Sequence, residues 1–464
     1  MFFYLFVAIV LSAPLYKGGD RPLPLLLLEV TAVALLLMMA VVPRQPVTLP
    51  KSLWIAVGGL LTYPLLQLFP LPESVWGALP GHAEYANVLQ RFAADGRSAV
   101  RAISVIPSYT EYGWLAMMPA LACFLAAMRL SPAHTARLLL IMAGFAGVES
   151  LLGLLQVGSG ASIFYLQNDQ AFGTATGTFI NRNHLAALLA MTLPVIVGLL
   201  AFSMRPGRRR RHQHQRTGSG YFAQRTLLFG SAVLILACLL FTRSRAGIAS
   251  ALVGLACSAI VLVRARAASE GTSRTRLATW LVAAMIAVAF GLAIIIAAAP
   301  LLEGIEPEAL RLSTKDRIAL FAGTVRAAIE FLPFGSGLST FVDVFPRFQL
   351  EARFSGFADH AHNDYLQAFM ELGLGAPLII GLLVFAYGSR MRELLRREGG
   401  RSFTLLQLGA GVGMMPMMLH SVFDFALHMP ANGIWFATLA GVLFHPGVAS
   451  RDSSMTSSSE QAGV

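Results

Sequence analysis

The sequence contains few charged residues and few cysteines. Only 13% of its 464 residues are charged, 56% are hydrophobic, and the mean hydropathy is +0.65. A soluble domain averages about a quarter charged residues, so this composition excludes an ordinary soluble domain. The three cysteines, Cys123, Cys238 and Cys257, all lie in apolar stretches. We therefore expect buried thiols and no disulfide framework.

The N-terminus also lacks the signals for cleavage. Its opening stretch, MFFYLFVAIVLSAPLY, has no basic residue before the apolar run and no A-x-A site. A basic residue before the apolar run and an A-x-A cleavage site are both features of secretory signal peptides. We therefore expect this stretch to remain as a first helix.

Apolar segments recur along the chain, each approaching the roughly 20 residues that a helix needs to cross a bilayer. They lie at about 2–16, 23–42, 52–71, 111–128, 135–156, 184–203, 226–242, 246–263, 277–299, 365–388, 403–424 and 430–447. Lipid cannot satisfy exposed backbone groups, and a barrel would show short alternating strands instead. The sequence therefore predicts an all-α integral membrane protein, a polytopic bundle of about 12 transmembrane helices. A large outward-facing loop at 300–364, which is expected to contain short helices, interrupts this bundle.

Basic residues indicate how this bundle lies in the membrane. With the N-terminus inside, the inner loops contain RPGRRRRHQHQR, RARAASEGTSRTR and SRMRELLRREGGR. Cytoplasmic loops carry an excess of Lys and Arg, so both termini are predicted to be cytoplasmic. The run Arg208–Arg211 is better explained by topology and anionic membrane lipids than by the alternative, nucleic-acid binding.

The densest polar cluster, ADHAHNDYLQ, closes the large outer loop. If a helix begins near Asn363, then Asn363, Gln367 and Glu371 recur on one of its faces. A carboxylate inside a membrane helix costs about 2.5–3.5 kcal/mol, so Glu371 is expected to face a cavity or a partner. We favour a polar pocket with a histidine that takes a proton near neutral pH. The alternatives are a solvated loop with a polar helix contact, or a metal site on His360 and His362.

Arginines are predicted at the same outer surface. They are Arg182 in GTFINRNHLA, Arg243 and Arg245 in FTRSRAG, and Arg317 in TKDRIALF. The guanidinium fork matches phosphate oxygens and keeps its charge at any relevant pH. Several arginines beside a histidine pocket therefore indicate an anionic ligand. Contact with lipid headgroups is the alternative, above all for Arg243.

Two further polar groups lie within apolar segments. Glu149 is followed by Gln156 two turns later, and His420, Asp424 and His428 recur at helical spacing in HSVFDFALH. We expect both groups to form polar contacts between helices.

The motifs FINRNHLA, SRAG and HAHNDYLQAFMELGLGAPL, the last at the end of a long outer loop, resemble the O-antigen ligase and O-antigen polymerase superfamily. The resemblance covers roughly residues 140–445. It implies a bacterial inner-membrane glycosyltransferase of lipopolysaccharide or polysaccharide biosynthesis. Such enzymes take a glycan from a polyprenyl diphosphate and transfer it at the periplasmic face. The implied acceptor is a lipid A core sugar, another glycan or, in some branches, a protein.

The resemblance also implies roles for individual residues, namely His362, Arg182, Arg245 and Arg317. A neutral imidazole can take the proton of an acceptor hydroxyl, and fixed guanidinium groups can stabilise a leaving diphosphate. We therefore predict His362 as the general base and the three arginines as diphosphate ligands. His360 has no matching position in the family motif.

The remaining residues of the polar cluster are predicted to contact the substrate. They are Asn363, Tyr365, Gln367, Glu371 and His360. No cofactor and no metal are expected, because the outer carboxylates are scattered and form no D-x-D pair. The absence of a glycine-rich nucleotide loop agrees with a lipid-linked donor.

The chain is divided into three parts by these patterns. Residues 1–135 form N-terminal transmembrane helices, 136–447 form the ligase-like core with periplasmic loop 300–364, and 448–464 form a Ser-rich cytoplasmic tail that we expect to be disordered. The alternative function is a flippase for lipid-linked glycans or another transporter. A transporter should line its path with polar groups in both halves of the membrane, whereas here they crowd the outer side.

Overall fold

The computed structural model describes residues 1–41, 49–92, 100–159, 173–204, 218–267, 307–349, 358–396 and 402–447. The predicted segment at 277–299, the run Arg208–Arg211 and the tail at 448–464 lie outside these residues. Within the described ranges, regular structure is helical apart from two three-residue strands.

Up to residue 159 the described residues form eight α-helices, a short 3-10 helix at Lys17–Gly19 and both strands. In chain order the α-helices and strands are α1 (Phe2–Leu15), α2 (Pro22–Val41), α3 (Lys51–Gln67), β1 (Pro70–Pro72), α4 (Glu73–Gly77), α5 (Ala83–Phe92), β2 (Val100–Ala102), α6 (Pro107–Ala116), α7 (Met118–Met128) and α8 (Pro132–Ser159).

From residue 173 onward, the regular structure of the described residues is entirely helical. Its α-helices are α9 (Arg182–Met204), α10 (Gly218–Phe241), α11 (Arg245–Ala267), α12 (Pro307–Glu330), α13 (Phe341–Val344), α14 (Asp364–Leu372), α15 (Gly375–Arg396), α16 (Ser402–His420) and α17 (Pro430–Phe444). Short 3-10 helices at Phe345–Phe348 and Ala426–His428 follow α13 and precede α17.

Seven helices within the described ranges are long and apolar enough to cross a membrane. They are Pro22–Val41, Pro107–Met128, Pro132–Ser159, Arg182–Met204, Phe222–Phe241, Arg245–Arg264 and Ser402–His420, and the apolar helices Phe2–Leu15 and Pro430–Phe444 are shorter. The chain is therefore consistent with the predicted all-α polytopic membrane protein. The predicted count of about 12 crossings is not confirmed.

The structure corrects two predicted helices. The segment expected at 365–388 is broken between α14 and α15, where Gly373 has φ +55°. A Cβ there would lie 2.2 Å from the carbonyl oxygen of Pro333, so the close approach of that loop requires glycine. The segment expected at 403–424 ends at His420. Asp424 therefore lies in a turn, where its side chain accepts a hydrogen bond from the backbone N–H of Phe425.

The ends of the helices gather at two faces of the bundle. At one face, Gln67 donates to the carbonyl of Phe334, and Ala175 N–H donates to the carbonyl of Phe241. At the other face, Arg129 donates to the carbonyl of Met39. Successive helix ends thus alternate between the two faces, as they do in a bundle that crosses a membrane repeatedly. Following the predicted orientation, we call the face that carries the polar cluster the outer face.

A small hydrophobic core, separate from the core of the helix bundle, covers part of the outer face. Strand β1 pairs with β2 in antiparallel register, and the adjoining α5 packs near α12. The buried side chains of this core include Leu320, Phe331 and Phe341. Arg347 forms ion pairs with Glu84 and Glu330, and so links α5 to α12. The segments at 68–92, 100–106 and 307–349 therefore form one cap.

A polar clamp closes the opposite face at the end of α17. Arg390 donates to the carbonyl oxygens of Leu443 (3.1 Å) and His445 (2.8 Å), and Gln407 also donates to that of His445 (2.8 Å). The last carbonyls of a helix have no partner within it. Arg390 and Gln407 therefore satisfy the end of α17, and Arg390 has a structural role beside its predicted topological one.

The two faces are expected to differ in exposure to the periplasm. Single cysteines at Asn87 on α5 and at Arg396 at the end of α15 would both be exposed. In a protein whose native cysteines are replaced by alanine, an impermeant thiol reagent should label only Asn87→Cys in cells with a permeabilised outer membrane. Both variants should be labelled after lysis. Labelling of Arg396→Cys in intact cells would contradict the orientation.

Candidate functional site

The end of the large outer loop meets the turn between α16 and α17. Asn363 begins α14 as predicted, because its side chain accepts hydrogen bonds from the N–H groups of Tyr365 and Leu366, both at 3.0 Å. The next residue, Asp364, donates its backbone N–H to the carbonyl of Ser421 at 2.9 Å. These contacts bring the HAHNDY motif against the end of α16.

Two His–Asp pairs join these segments in a crossed arrangement. Nδ1 of His362 lies 2.9 Å from Oδ1 of Asp424, and Nδ1 of His428 lies 2.5 Å from Oδ1 of Asp364. Each segment therefore supplies one histidine and one carboxylate. The carboxylates are the buried members, with side-chain exposures of 1% for Asp424 and 7% for Asp364.

His362 is held so that one ring nitrogen stays available. Its backbone has φ +49°, a left-handed conformation that is uncommon for residues other than glycine and often found at functional sites. An ionised carboxylate only accepts hydrogen bonds, so Asp424 requires the proton of the neutral ring on Nδ1. Nε2 then carries the lone pair. It has no hydrogen-bond partner among the described residues, and the side chain is 32% exposed.

The surroundings of Asp424 and His428 shift the pKa values of these two groups in opposite directions. Burial alone would raise the pKa of Asp424, but the hydrogen bond from His362 and the interactions with His420 and His184 hold it well below its usual range. Burial alone would lower the pKa of His428, but its bond to Asp364 raises it. Asp424 is therefore the fixed negative charge beneath His362.

His360 differs from His362 in both contacts and basicity. Its Nδ1 lies 3.2 Å from Oε1 of Gln367, and its ring stacks on Phe425 at 4.1 Å. Burial, and after it the charge of His428, lowers the pKa of His360 to about 3. A nitrogen with this pKa stays neutral at physiological pH and is a weak base.

The ring of Phe425 packs against three histidines of the site. Its ring lies 4.7 Å from that of His184, 4.1 Å from that of His360 and 4.9 Å from that of His362. Sequence reasoning missed Phe425 and His184, and assigned Asp424 to a helix contact. The sequence did show ionisable residues within the apolar segment HSVFDFALH. That pattern could not reveal that Asp424 pairs with His362, which lies 62 positions earlier in the chain.

Gln367 and Glu371, predicted to contact substrate, lie in the protein interior. Gln367 accepts from the N–H of Ala361 at 3.1 Å and donates to Glu371 at 3.1 Å. Glu371 also accepts from the N–H groups of Ser339 (2.7 Å) and Phe341 (3.3 Å). Both side chains are 1% exposed. The predicted polar face of α14 is present, but it positions the cap and the HAHN loop.

Tyr365 lies between the polar site and an apolar cavity. Its hydroxyl donates to the carbonyl of Met418 at 2.7 Å. The ring lines a cavity of about 320 Å³ whose walls come from α3, α7, α15, α16 and α17. Leu61, Phe124 and Leu383 are among its apolar side chains. None of these helices carries one of the four arginines.

The structure brings the four predicted arginines together. Arg182 begins α9, Arg243 and Arg245 lie at the α10–α11 turn, and Arg317 lies on α12. Arg182 is within electrostatic range of the other three, and none of the four forms an ion pair with a carboxylate in the described part of the chain. The N-terminus of α9 connects this group to the histidines, since His184 is within electrostatic range of His362. Unpaired like charges at this density favour an anionic ligand.

Glu149 and Gln156 hold the segment that leads to Arg182. Glu149 accepts from the N–H and hydroxyl of Thr178, both at 3.0 Å. Gln156 accepts from the N–H of Gly177 (2.8 Å) and donates to its carbonyl (2.7 Å). Gly177 has φ +57°, and a Cβ there would lie 2.5 Å from Glu149. The expected helix–helix contact is thus a helix–loop contact.

The histidines and carboxylates do not converge as a metal site would. Within the ranges that the structure describes, no group of three or more His, Cys, Asp or Glu is placed to hold a metal ion. Metal independence nevertheless stays a prediction about the reaction.

The comparisons with known proteins agree with the motifs. A family model described as O-antigen ligase matches residues 230–386, which include the α10–α11 turn, Arg317 and the HAHNDY loop. No curated protein matches the chain. The motifs and the family match together support assignment of the chain to the O-antigen ligase and polymerase superfamily.

Proposed function

We propose that this protein transfers a glycan from a polyprenyl-diphosphate carrier to an acceptor hydroxyl at the periplasmic face of the bacterial inner membrane. The family match supports glycan transfer in O-antigen or polysaccharide assembly, as ligase or polymerase. One observation carries the mechanism: Nε2 of His362, backed by buried Asp424, and the four arginines on the same face have no polar partner and no ion pair among the described residues.

In the proposed reaction, Nε2 of His362 takes the proton of the acceptor hydroxyl. The hydroxyl oxygen attacks the anomeric carbon, and the bond from that carbon to the diphosphate oxygen breaks. The proton stays on the imidazole, whose positive charge is stabilised by Asp424 at 2.9 Å. A single displacement of this kind inverts the configuration at the anomeric carbon.

The leaving diphosphate receives the electron pair of the broken bond. Arg182, Arg245 and Arg317 are the proposed ligands of its oxygens. Fixed guanidinium groups stabilise this developing charge without rearranging during the reaction. The lack of carboxylate partners among the described residues supports this role, because a paired arginine would first have to release its partner.

The apolar cavity beside Tyr365 supports a lipid-linked substrate. Its walls are almost entirely apolar, and it adjoins α14 at the site itself. A lipid chain lying there would keep the attached sugar at the outer face. We assign the cavity to the lipid chain of a substrate.

The transporter alternative is less well supported. A transport path needs polar groups in the inner half of the membrane as well. On the inner side of the described structure, Arg390 and Gln407 are bonded to the carbonyls at the end of α17. These groups complete the fold and leave the polar crowding on the outer side.

Replacing the proposed base should abolish transfer while the protein still inserts. His362→Ala is expected to lower the rate by about 10²–10⁴-fold, the usual contribution of a general base. Asp424→Asn should also lower it, because the amide cannot stabilise the imidazolium. The measurement is transfer from purified lipid-linked donor in membranes with equal amounts of protein. His360→Ala is the control and should cause a smaller loss. Near-normal rates for His362→Ala would exclude this assignment.

Lysine substitutions should separate bidentate binding from simple charge. Arg245→Lys and Arg317→Lys keep the cation but lose the planar fork, so transfer should fall by roughly tenfold or more. Arg243→Lys is the matched control in the same turn and should be tolerated. The three variants are compared in the same membrane assay. Full activity in all three would show that a bidentate grip is not needed.

Transfer should not require a divalent metal. Three arginines can supply the positive charge that a diphosphate leaving group needs. Protein stripped with chelator and assayed in excess EDTA should therefore keep its activity. Activity that disappears in EDTA and returns with manganese or magnesium would contradict the arginine mechanism and make His362 a candidate ligand.

A further inference from the structure

The two oxygens of Asp424 have different environments. Oδ1 lies 2.9 Å from Nδ1 of His362 and accepts from the N–H of Phe425 at 3.0 Å. Oδ2 has no hydrogen-bond partner among the described residues, and the side chain is only 1% exposed. A buried carboxylate oxygen without a donor is costly, so this atom needs a donor from the protein interior.

His420 is placed to be that donor. It is the last residue of α16, its side chain is fully buried, and neither ring nitrogen has a hydrogen-bond partner in the described structure. Its Nε2 lies 3.8 Å from Oδ2 of Asp424. This distance exceeds a hydrogen bond by only several tenths of an ångström. A small rotation of the ring would satisfy both orphaned groups together.

Other buried groups beside Asp424 fit this role less well. His184 also has an unpartnered Nε2, but its ring is held edge-on against Phe425. The unpartnered atom of Asn432 is Oδ1, which accepts and cannot donate. The buried hydroxyl of Ser421 also has no partner among the described residues and could donate, but His420 is the group with an unpartnered ring nitrogen 3.8 Å from the free oxygen.

We propose that His420 is a positioning residue, whose Nε2–H donates to Oδ2 of Asp424 and fixes the carboxylate that orients His362. This inference rests on the proposed function for the catalytic meaning of His362. The hydrogen bond itself can be tested without any glycan substrate.

Such a donor sets the pH at which the His362–Asp424 pair takes up a proton. Without it, the carboxylate is less stabilised as an anion, so the pair binds its proton more tightly and takes it up at higher pH. A protonated His362 cannot act as a base, so the acidic limb of activity should move to higher pH. The other ionisable groups facing the pair are His184, His360 and Asp364, and every variant at His420 retains all three.

The test follows protonation of His362 in the full-length protein by its rate of carbethoxylation with diethyl pyrocarbonate. This reagent modifies neutral imidazole, and fragmentation of the peptide by mass spectrometry separates His362 from His360. The rate is measured against pH in wild type, His420→Phe and His420→Gln. His420→Phe should move the midpoint upward by roughly one pH unit, the size expected for one lost hydrogen bond to a charged group. His420→Gln retains an N–H donor and should keep the wild-type midpoint.

An unchanged midpoint in His420→Phe would overturn the inference, as would an equal shift in both variants, because the donor would then not matter. A shift in His184→Phe with none in His420→Phe would assign the role to His184. If His420→Phe does not accumulate, His420→Met replaces it. Loss of the proposed function would appear separately, as a wild type without transfer activity. If both hold, the acidic limb of transfer in His420→Phe should follow the carbethoxylation midpoint.

Discussion

The outer face depends on burying two carboxylates that each hold a histidine from another segment. Asp424 and Asp364 are buried, and an unpaired buried charge is strongly unfavourable. Each is paired with its histidine only when the HAHNDY loop and the α16–α17 turn are together. The same contacts therefore stabilise the junction of two distant segments and orient the ring that we propose as the base. The two His–Asp pairs thus account both for the stability of this junction and for the orientation of His362.

The same device recurs twice around the site. Glu371 on α14 accepts the N–H groups of Ser339 and Phe341 in the cap, and Glu149 on α8 accepts the N–H group of Thr178. In each case a helix supplies a buried carboxylate that accepts backbone N–H groups of a separate segment. Backbone at this depth must find its partners within the protein. Helices thereby hold the cap and the segment that leads to Arg182.

Local patterns in the sequence predicted much of this site. The beginning of α14 at Asn363, its polar face through Gln367 to Glu371, and the gathering of four arginines on one face all follow from spacing and from the alternation of apolar segments. The pairing of His362 with Asp424 does not, because periodicity carries no information about contacts between distant segments. It placed Asp424 on a helix, whereas that helix ends at His420 and the carbonyl of the next residue, Ser421, accepts from the N–H of Asp364. Gly373 broke another predicted helix for a similar reason, the close approach of a separate loop.

The clamp at the far end of α17 has a consequence for the level of the site in the bilayer. This helix has 15 residues, so it spans about 22 Å, less than the roughly 30 Å of a hydrocarbon core. Arg390 and Gln407 hold its last carbonyls, where a longer helix would reach the lipid headgroups. The first residue of α17 follows His428 within two positions. The crossed pairs are thus held one short helix, about 22 Å, from the clamp on the opposite face, so they lie below the headgroups on their own side when the clamp is level with the headgroups on the other.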